Sequence, residues 1–114
     1  MEKWKVKRYD YELISIQKAL SIAKHFGDKV DEGVALANLG NAHYFLGDLK
    51  QSIEYHRKRL CIAKEIGDRR GKGRSYCMLG CALDRLGDSQ EALECHKQDL
   101  AIAIEIGDLV RELP

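Results

Sequence analysis

The sequence predicts an all-α solenoid fragment, built from antiparallel helical hairpins stacked side by side. Two observations predict it: a Gly-Asp pair that recurs every 20 residues from position 27 to position 107, and a wider similarity at a step of 40 residues. Residues 31–70 and 71–110 are identical at 16 of 40 positions. A repeat of this length indicates stacked supersecondary units rather than one closed core.

The first two segments of the chain are a basic N-terminal extension and a helix without its hairpin partner. Residues 1–8 form the extension. Residues 9–28 match residues 49–68 at seven of 20 positions, which predicts a trailing helix of an incomplete repeat over 10–26. The sole proline is the last residue, Pro114, so nothing inside the chain forbids long helices.

Two complete repeats and the start of another follow. Apolar residues recur at steps of three and four between the Gly-Asp pairs, as on one face of a helix. Each repeat, at 29–68 and at 69–108, is therefore predicted to hold a leading helix (29–46 and 69–86) and a trailing helix (49–66 and 89–106). Residues 109–114 begin a truncated repeat, so the first and last complete helices are each expected to lack a neighbour.

The Gly-Asp pairs carry the chemistry that ends one helix and starts the next. Glycine suits the left-handed conformation at a helix C-terminus, and the aspartate side chain suits an N-cap. Asp48 with Gln51, and Asp88 with Glu91, have the spacing of capping boxes. A two-residue turn of this kind predicts an antiparallel hairpin.

Composition and charge disfavour a disordered, membrane-embedded or nucleic-acid-binding protein. The 114 residues suffice for one domain, and 45% hydrophobic with 32% charged residues is neither a disordered nor a membrane-embedded composition. The 19 basic and 18 acidic side chains nearly balance, which disfavours a nucleic-acid partner. No segment has the length of a bilayer span or the pattern of a secretory signal, and the four cysteines form no Cys-x-x-Cys pair. We therefore expect a cytoplasmic protein with reduced thiols and no membrane partner.

The pattern within each repeat resembles the tetratricopeptide repeat (TPR). The usual signature is a bulky residue, Leu-Gly, an aromatic, a small residue and a second aromatic. The matching residues are Leu36, Leu39, Gly40, His43, Ser52 and His56 in the first repeat, and Tyr76, Leu79, Gly80, Leu83, Ala92 and His96 in the second. A period of 40 also fits HEAT or armadillo units, but the Leu-Gly pair and the Gly-Asp pairs favour TPR.

The long period resembles one TPR subclass in particular. The step is 40 residues rather than about 34, and the stretches 40–48 and 68–80 are similar to the long-repeat subclass found in the LGN/Pins family of G-protein-signalling modulators and in long midbody TPR proteins. The resemblance implies a right-handed superhelix whose leading helices line a concave, peptide-binding groove.

The leading helices carry two stripes of residues at helical spacing. One stripe is apolar in both repeats and is expected in the core: Leu36, Leu39, His43 and Leu46, then Tyr76, Leu79, Leu83 and Leu86. The other is too polar to be buried in the second repeat and is expected to line the peptide-binding groove: Val34, Ala37, Asn41, Tyr44 and Phe45, then Arg74, Cys77, Cys81, Asp84 and Arg85.

Two residues of the second stripe have a binding role under the resemblance. Asn41 matches an asparagine that hydrogen-bonds an extended peptide, and Arg74 matches an arginine that meets acidic partner peptides. The alternatives are that Asn41 caps local structure and that Arg74 is a solvated charge. Residues 57–74 carry a net charge of +6, which favours an acidic partner around Arg69, Arg70, Lys72 and Arg74.

Catalysis and cofactor binding are weighed against packing. Cys77 and Cys81 stand one helical turn apart, with His56, His96 and Cys95 as further candidates for a metal site or a cysteine nucleophile. Both histidines occupy the aromatic packing position of a trailing helix, and no phosphate-binding glycine loop is present. We therefore expect no catalytic residue, no metal and no cofactor.

The sequence thus predicts a non-enzymatic scaffold that binds a protein or peptide partner in a concave groove. The resemblance implies roles in cell polarity, spindle orientation or cytokinesis, at the cytoskeleton or cell cortex. The alternative is a structural array fragment that self-associates through its exposed terminal helices, because a solenoid needs polar terminal repeats. An enzyme is the third interpretation.

Overall fold

The computed structural model describes residues 3–111, which form five α-helices joined by two-residue turns. The helices are α1 (Lys3–Phe26), α2 (Lys29–Leu46), α3 (Leu49–Ile66), α4 (Arg69–Leu86) and α5 (Ser89–Arg111). No strand occurs within this range. The predicted all-α class is confirmed, and α2, α3 and α4 begin and end at the predicted residues.

The helices pack as a series of antiparallel hairpins. Each helix contacts its neighbours in sequence, and the one further contact within residues 3–111 joins the two leading helices, α2 and α4. The molecule measures 50 × 38 × 22 Å. These contacts confirm an α-solenoid, in which each element is held by its nearest neighbours. Over the described range, no helix is both long enough and apolar enough to cross a bilayer.

The turns use the chemistry predicted for the Gly-Asp pairs. Gly27, Gly47, Gly67 and Gly87 have positive φ angles between 67° and 100°, where a side chain would be strained. The aspartate that follows each of them accepts a hydrogen bond from a backbone amide in the first turn of the next helix, at 2.9–3.3 Å. One helix therefore ends and the next begins within two residues.

The capping boxes are half formed. The side chains of Asp48 and Asp88 accept from the amides of Gln51 and Glu91, as predicted. The reciprocal bond does not form, because the Asp48 amide donates at 2.9 Å to the carbonyl of His43 in the preceding helix. Each aspartate thus caps the C-terminus of the preceding helix with its amide and the N-terminus of the following helix with its carboxylate.

Both terminal helices are longer than predicted. Helix α1 starts at Lys3, so residues 3–8 are part of that helix and not a separate extension. Nothing in this stretch, which lacks proline and glycine, interrupts helix propagation. Helix α5 continues through Gly107 to Arg111, where a turn into a further leading helix was expected. No following helix packs there within the described residues, and helical continuation keeps the backbone hydrogen bonds that a turn would break.

The core follows the first stripe of the leading helices, with one exception. Leu36, Leu39, Leu79 and Leu83 are buried, while His43, Leu46 and Tyr76 are half-buried. Leu86 was expected in the core and is 46% exposed. It is the last residue of α4, at the tip of the hairpin beside Gly87, where solvent reaches the outer side of the final turn.

Candidate functional site

A cavity of about 330 Å³ opens between the two leading helices, with trailing helix α3 as its floor. It brings together five of the ten predicted groove residues: Val34, Ala37, Asn41, Arg74 and Cys77. The other lining residues, which the sequence did not single out as groove residues, are Asn38, His56, Arg59 and Met78. We name this cavity the inter-repeat groove.

The floor of the inter-repeat groove forms because α3 approaches α2 at a glycine. The His56 ring packs against the backbone of Gly40, where an added Cβ would lie 2.5 Å from its Nε2. The Ser52 hydroxyl donates a 2.8 Å hydrogen bond to the Gly40 carbonyl. Glycine and a small residue at these two positions therefore allow α3 to lie close under the groove.

His56 is a buried neutral side chain. It is 1% exposed, and its Nε2 is buried without a hydrogen-bond partner among the described residues. Burial, and to a lesser degree the positive charge of Arg59, lower the pKa of His56 to about 4. The equivalent histidine of the second repeat, His96, is exposed. Its ring nevertheless packs against Gly80, where an added Cβ would lie 2.5 Å away, so the two histidines share the contact and differ in exposure.

Arg59 ties the floor of the groove to α4. Its guanidinium donates to the Gly71 carbonyl at 3.2 Å and to the Ser75 hydroxyl at 3.5 Å, and lies 3.8 Å from a carboxylate oxygen of Asp68. Burial lowers the pKa of Arg59, Asp68 opposes that shift, and the nearby Arg74 adds to it. Arg59 is therefore a fixed positive charge that lies close to a second arginine.

Arg74 and Asn41 both line this cavity, and each carries a polar group without a partner among the described residues. Arg74 is exposed and has neither a hydrogen bond nor an ion pair within residues 3–111. Asn41 is half-buried in the middle of α2, and its Oδ1 is buried with no partner among the described residues. Asn41 thus does not cap local structure, which was the alternative to a binding role.

The other five predicted groove residues lie outside the cavity. The Arg85 guanidinium stacks over the Tyr44 ring at 4.8 Å and donates to the Tyr44 carbonyl at 3.4 Å, while Phe45 meets Tyr44 edge-on. These three form an aromatic cluster at the C-terminal ends of α2 and α4. Cys81 is half-buried and Asp84 is exposed, both in the second half of α4.

One of the four residues of the predicted basic patch forms an ion pair. Arg69 pairs with Glu105 at 3.0 Å. Arg70 and Arg74 line a neighbouring pocket of about 280 Å³ between α4 and α5, where Asp99 supplies a carboxylate. That pocket shares Arg74 and Cys77 with the inter-repeat groove. Positive charge is therefore concentrated where the two cavities meet.

The thiol of Cys77 is a weakly acidic group in this setting. Burial raises its pKa, and the neighbouring Cys81 and Asp99 raise it further. Across the part of the chain that the structure describes, no three His, Cys, Asp or Glu side chains are placed to hold a metal ion. The geometry offers hydrogen-bond acceptors, apolar walls and arginine charge, which are groups that recognise a ligand.

Comparison with known families identifies the repeat. The family model described as tetratricopeptide repeat matches residues 35–105, more than half of the 114-residue chain. No curated protein matches the chain. TPR proteins are in general protein-interaction modules without catalytic activity. The match runs from within α2, through α3 and α4, to within α5, and the chain belongs to the tetratricopeptide repeat family.

Proposed function

We propose that the chain is a non-enzymatic interaction module that binds an acidic segment of a partner protein in the inter-repeat groove. The observation that carries the proposal is the exposed, unpaired guanidinium of Arg74 beside the fixed charge of Arg59. A carboxylate between them would relieve the repulsion and accept charge-assisted hydrogen bonds. The unpaired Asn41 oxygen supports a second contact, with a backbone N–H of an extended peptide.

A displayed peptide library tests this proposal directly. The intact chain is used to select random 12-residue peptides, and the Arg74→Gln variant is used in parallel. We expect the wild-type chain to enrich Asp and Glu, and Arg74→Gln to lose that enrichment. Lys97→Gln makes the same charge change at an exposed position of α5 outside the groove, and should select like wild type. Equal acidic enrichment with Arg74→Gln would contradict the assignment.

The Asn41 contact has its own test. Replacing Asn41 with Ala should weaken binding of the best selected peptide by a few-fold to about tenfold, since one hydrogen bond contributes about 1 kcal/mol. Gln90→Ala removes the same kind of side-chain amide at an exposed position of α5 outside the groove, and should bind like wild type. Isothermal titration gives both affinities, and an unchanged affinity for Asn41→Ala would remove Asn41 from the site.

A second candidate function is self-association, favoured by the outer face of α5. Leu93, Leu100 and Ile104 are 56–61% exposed on this face. Apolar side chains so exposed can drive association of copies. Sedimentation velocity over a dilution series would show multimers that Leu100→Asp disperses. A monomer at every concentration would rule against this candidate.

The cellular role is proposed from the resemblance of residues 40–48 and 68–80 to the LGN/Pins subclass. It is a role in cell polarity, spindle orientation or cytokinesis, in the cytoplasm and at the cell cortex or cytoskeleton. Imaging a fluorescent fusion through division would test it. Signal at the cortex, spindle or midbody would support the role, and uniform signal at all stages would count against it.

A further inference from the structure

A second cavity lies between α1 and α2, and it meets the inter-repeat groove at Val34 and Asn38 of α2. It has a volume of about 600 Å³ and mainly apolar walls, to which α1 contributes Ile16, Ile22 and Phe26. Ile22 is 60% exposed and Phe26 is 77% exposed. We name this cavity the α1/α2 trough.

The repeat shows what occupies the equivalent trough elsewhere in the molecule. A shift of 40 residues carries α1 and α2 onto α3 and α4, and there helix α2 packs against both. Ile62, the equivalent of Ile22, lies against Gly33 of α2, with its Cγ2 3.4 Å from where a Cβ would stand. In the next repeat Ile102 lies against Gly73 at 3.3 Å. Both isoleucines are buried, at 8% and 7% exposed. Ile22 is therefore the third copy of this isoleucine position, and no glycine lies against it among the described residues.

The next turn of the helix repeats this comparison. We call the equivalent trough between α3 and α4, in which α2 lies, the occupied copy. There His56 packs on Gly40, and the Tyr55 ring stacks on His43 with 5.4 Å between centroids. Their equivalents in the trough are Ile16, which is half-buried, and Ser15, which is exposed. The trough thus has the shape of a seat for a leading helix along two turns of α1.

The charge of the trough differs from that of the occupied copy. In the occupied copy, the carboxylate of Asp68 lies 3.8 Å from Arg59. The equivalent positions in the trough are Asp28 and Ala19, and Asp31 adds a second carboxylate to the lining. Neither aspartate forms an ion pair within the described residues, and repulsion from Asp28 raises the pKa of Asp31. Among the described residues, no lysine or arginine lines this end of the trough.

We propose that the α1/α2 trough docks an amphipathic helix of another polypeptide, one that carries a glycine where it crosses Ile22 and a lysine or arginine beside Asp28 and Asp31. The repeat geometry supplies the glycine and the uncompensated carboxylates supply the cation. A second copy of this chain is the poorer occupant, because the matching glycines of its leading helices, Gly33 and Gly73, already lie under Ile62 and Ile102.

A peptide with the sequence of α4 is the probe for this seat. Residues 69–86 contain Gly73 and a basic first turn, and Cys77→Ser and Cys81→Ser prevent oxidation of the peptide. We expect the fluorescein-labelled peptide to bind the intact chain in an anisotropy titration. Ile22→Asp should weaken binding by at least about tenfold, because an apolar contact is lost and a charge is placed in its path. Leu86→Asp replaces an exposed leucine at the end of α4, outside the α1/α2 trough and the inter-repeat groove, and should bind like wild type.

Two altered peptides test separately whether binding needs the glycine and whether it needs the positive charge. Gly73→Leu in the probe should abolish binding, because the new side chain meets Ile22. A peptide of residues 29–46 has Asp31 and Glu32 in its first turn and should bind more weakly than the probe. Asp31→Asn in the intact chain should narrow the difference between the two peptides.

Three results would overturn the proposal. They are unchanged probe binding by Ile22→Asp, equal binding of the Gly73→Leu peptide, and a dimer of the unliganded chain that Ile22→Asp dissociates in sedimentation velocity. The last result would assign the trough to a second copy. Arg74→Gln lies outside the trough and should keep probe binding, so a failure of the groove proposal would not affect this one.

Discussion

At the scale of single residues, the floor of the groove depends on the contact between His56 and Gly40. The two repeats make the same histidine–glycine contact, since an added Cβ at Gly80 would also lie 2.5 Å from its histidine, His96. They differ in how tightly the ring is enclosed. His56 is 1% exposed between neighbouring helices, whereas His96 contacts α4 but is exposed to solvent. The same sequence pattern therefore holds the His56 ring in place in the first repeat and leaves the His96 ring room to move in the second.

Alanine at the two glycines should have opposite consequences. Gly40→Ala forces its methyl group against a ring that cannot move away, and we expect a net loss of about 1–2 kcal/mol, the cost of overpacking less the helix propensity gained. Gly80→Ala meets a histidine that can rotate into solvent, so its effect should be close to zero or slightly stabilising. Urea denaturation of both variants measures the difference. A loss for Gly80→Ala as large as that for Gly40→Ala would contradict this account.

The pKa of His56 predicts acid sensitivity. Its folded-state pKa is about 4, against an ordinary value of 6.5. Between these pH values the histidine is protonated in the unfolded chain but stays neutral in the folded chain. Stability contributed by neutral His56 is present above pH 6.5 and falls as pH drops toward 4, by up to about 3 kcal/mol.

The His56→Gln variant isolates this effect from carboxylate titration. It should have a smaller loss of unfolding free energy between pH 6.5 and 4.5 than wild type, whereas His96→Gln should keep the wild-type slope. Denaturant titrations at each pH give the slopes. Identical slopes for His56→Gln and wild type would remove His56 as the cause.

At the scale of the elements, a Gly-Asp pair in a turn and the Gly-Asp pair within α5 differ in backbone conformation. Gly87 ends α4 at a φ of 100°, whereas Gly107 lies inside α5. Alanine is strained at the first position, at a cost of about 1–2 kcal/mol, and favoured over glycine at the second by about 1 kcal/mol. We therefore expect Gly87→Ala to lower the melting temperature and Gly107→Ala to raise it in circular dichroism. A fall for Gly107→Ala would indicate a turn at that glycine.

These helices also show which features the sequence could predict. The bounds of α2, α3 and α4 followed from glycine and aspartate chemistry that acts within a few residues, and so could be predicted locally. The continuation of α5 past Gly107 could not, because that Gly-Asp pair is identical to the others and differs in what packs after it. The same limit applies to the cavity between the leading helices. The stripe placed Asn41 and Arg74 on one surface, and both line that cavity, whereas Arg59 comes from a trailing helix and reaches it through tertiary packing.

At the scale of the whole molecule, burial is unevenly distributed along the solenoid. A cluster of buried hydrophobic residues joins α3, α4 and α5 and contains Ile53, Leu79 and Leu83. Helix α1 has one fully buried hydrophobic side chain among its described ones, Ala23, and packs on α2 alone. In a solenoid, each element is stabilised by its own propensity and by its nearest neighbours, so α1 should open at a lower free energy than the central helices.

Native-state hydrogen exchange tests this gradient. Amides in the last two turns of α1 should exchange by local opening that is insensitive to Leu79→Ala, a core truncation that costs about 2–5 kcal/mol. Amides of α4 should exchange through global unfolding and lose protection by that full amount, because Leu79 is buried among three helices. A probe helix bound in the α1/α2 trough gives α1 a second neighbour, and should raise protection in α1 selectively. Equal sensitivity of α1 and α4 to Leu79→Ala would instead show that all five helices unfold as one cooperative unit.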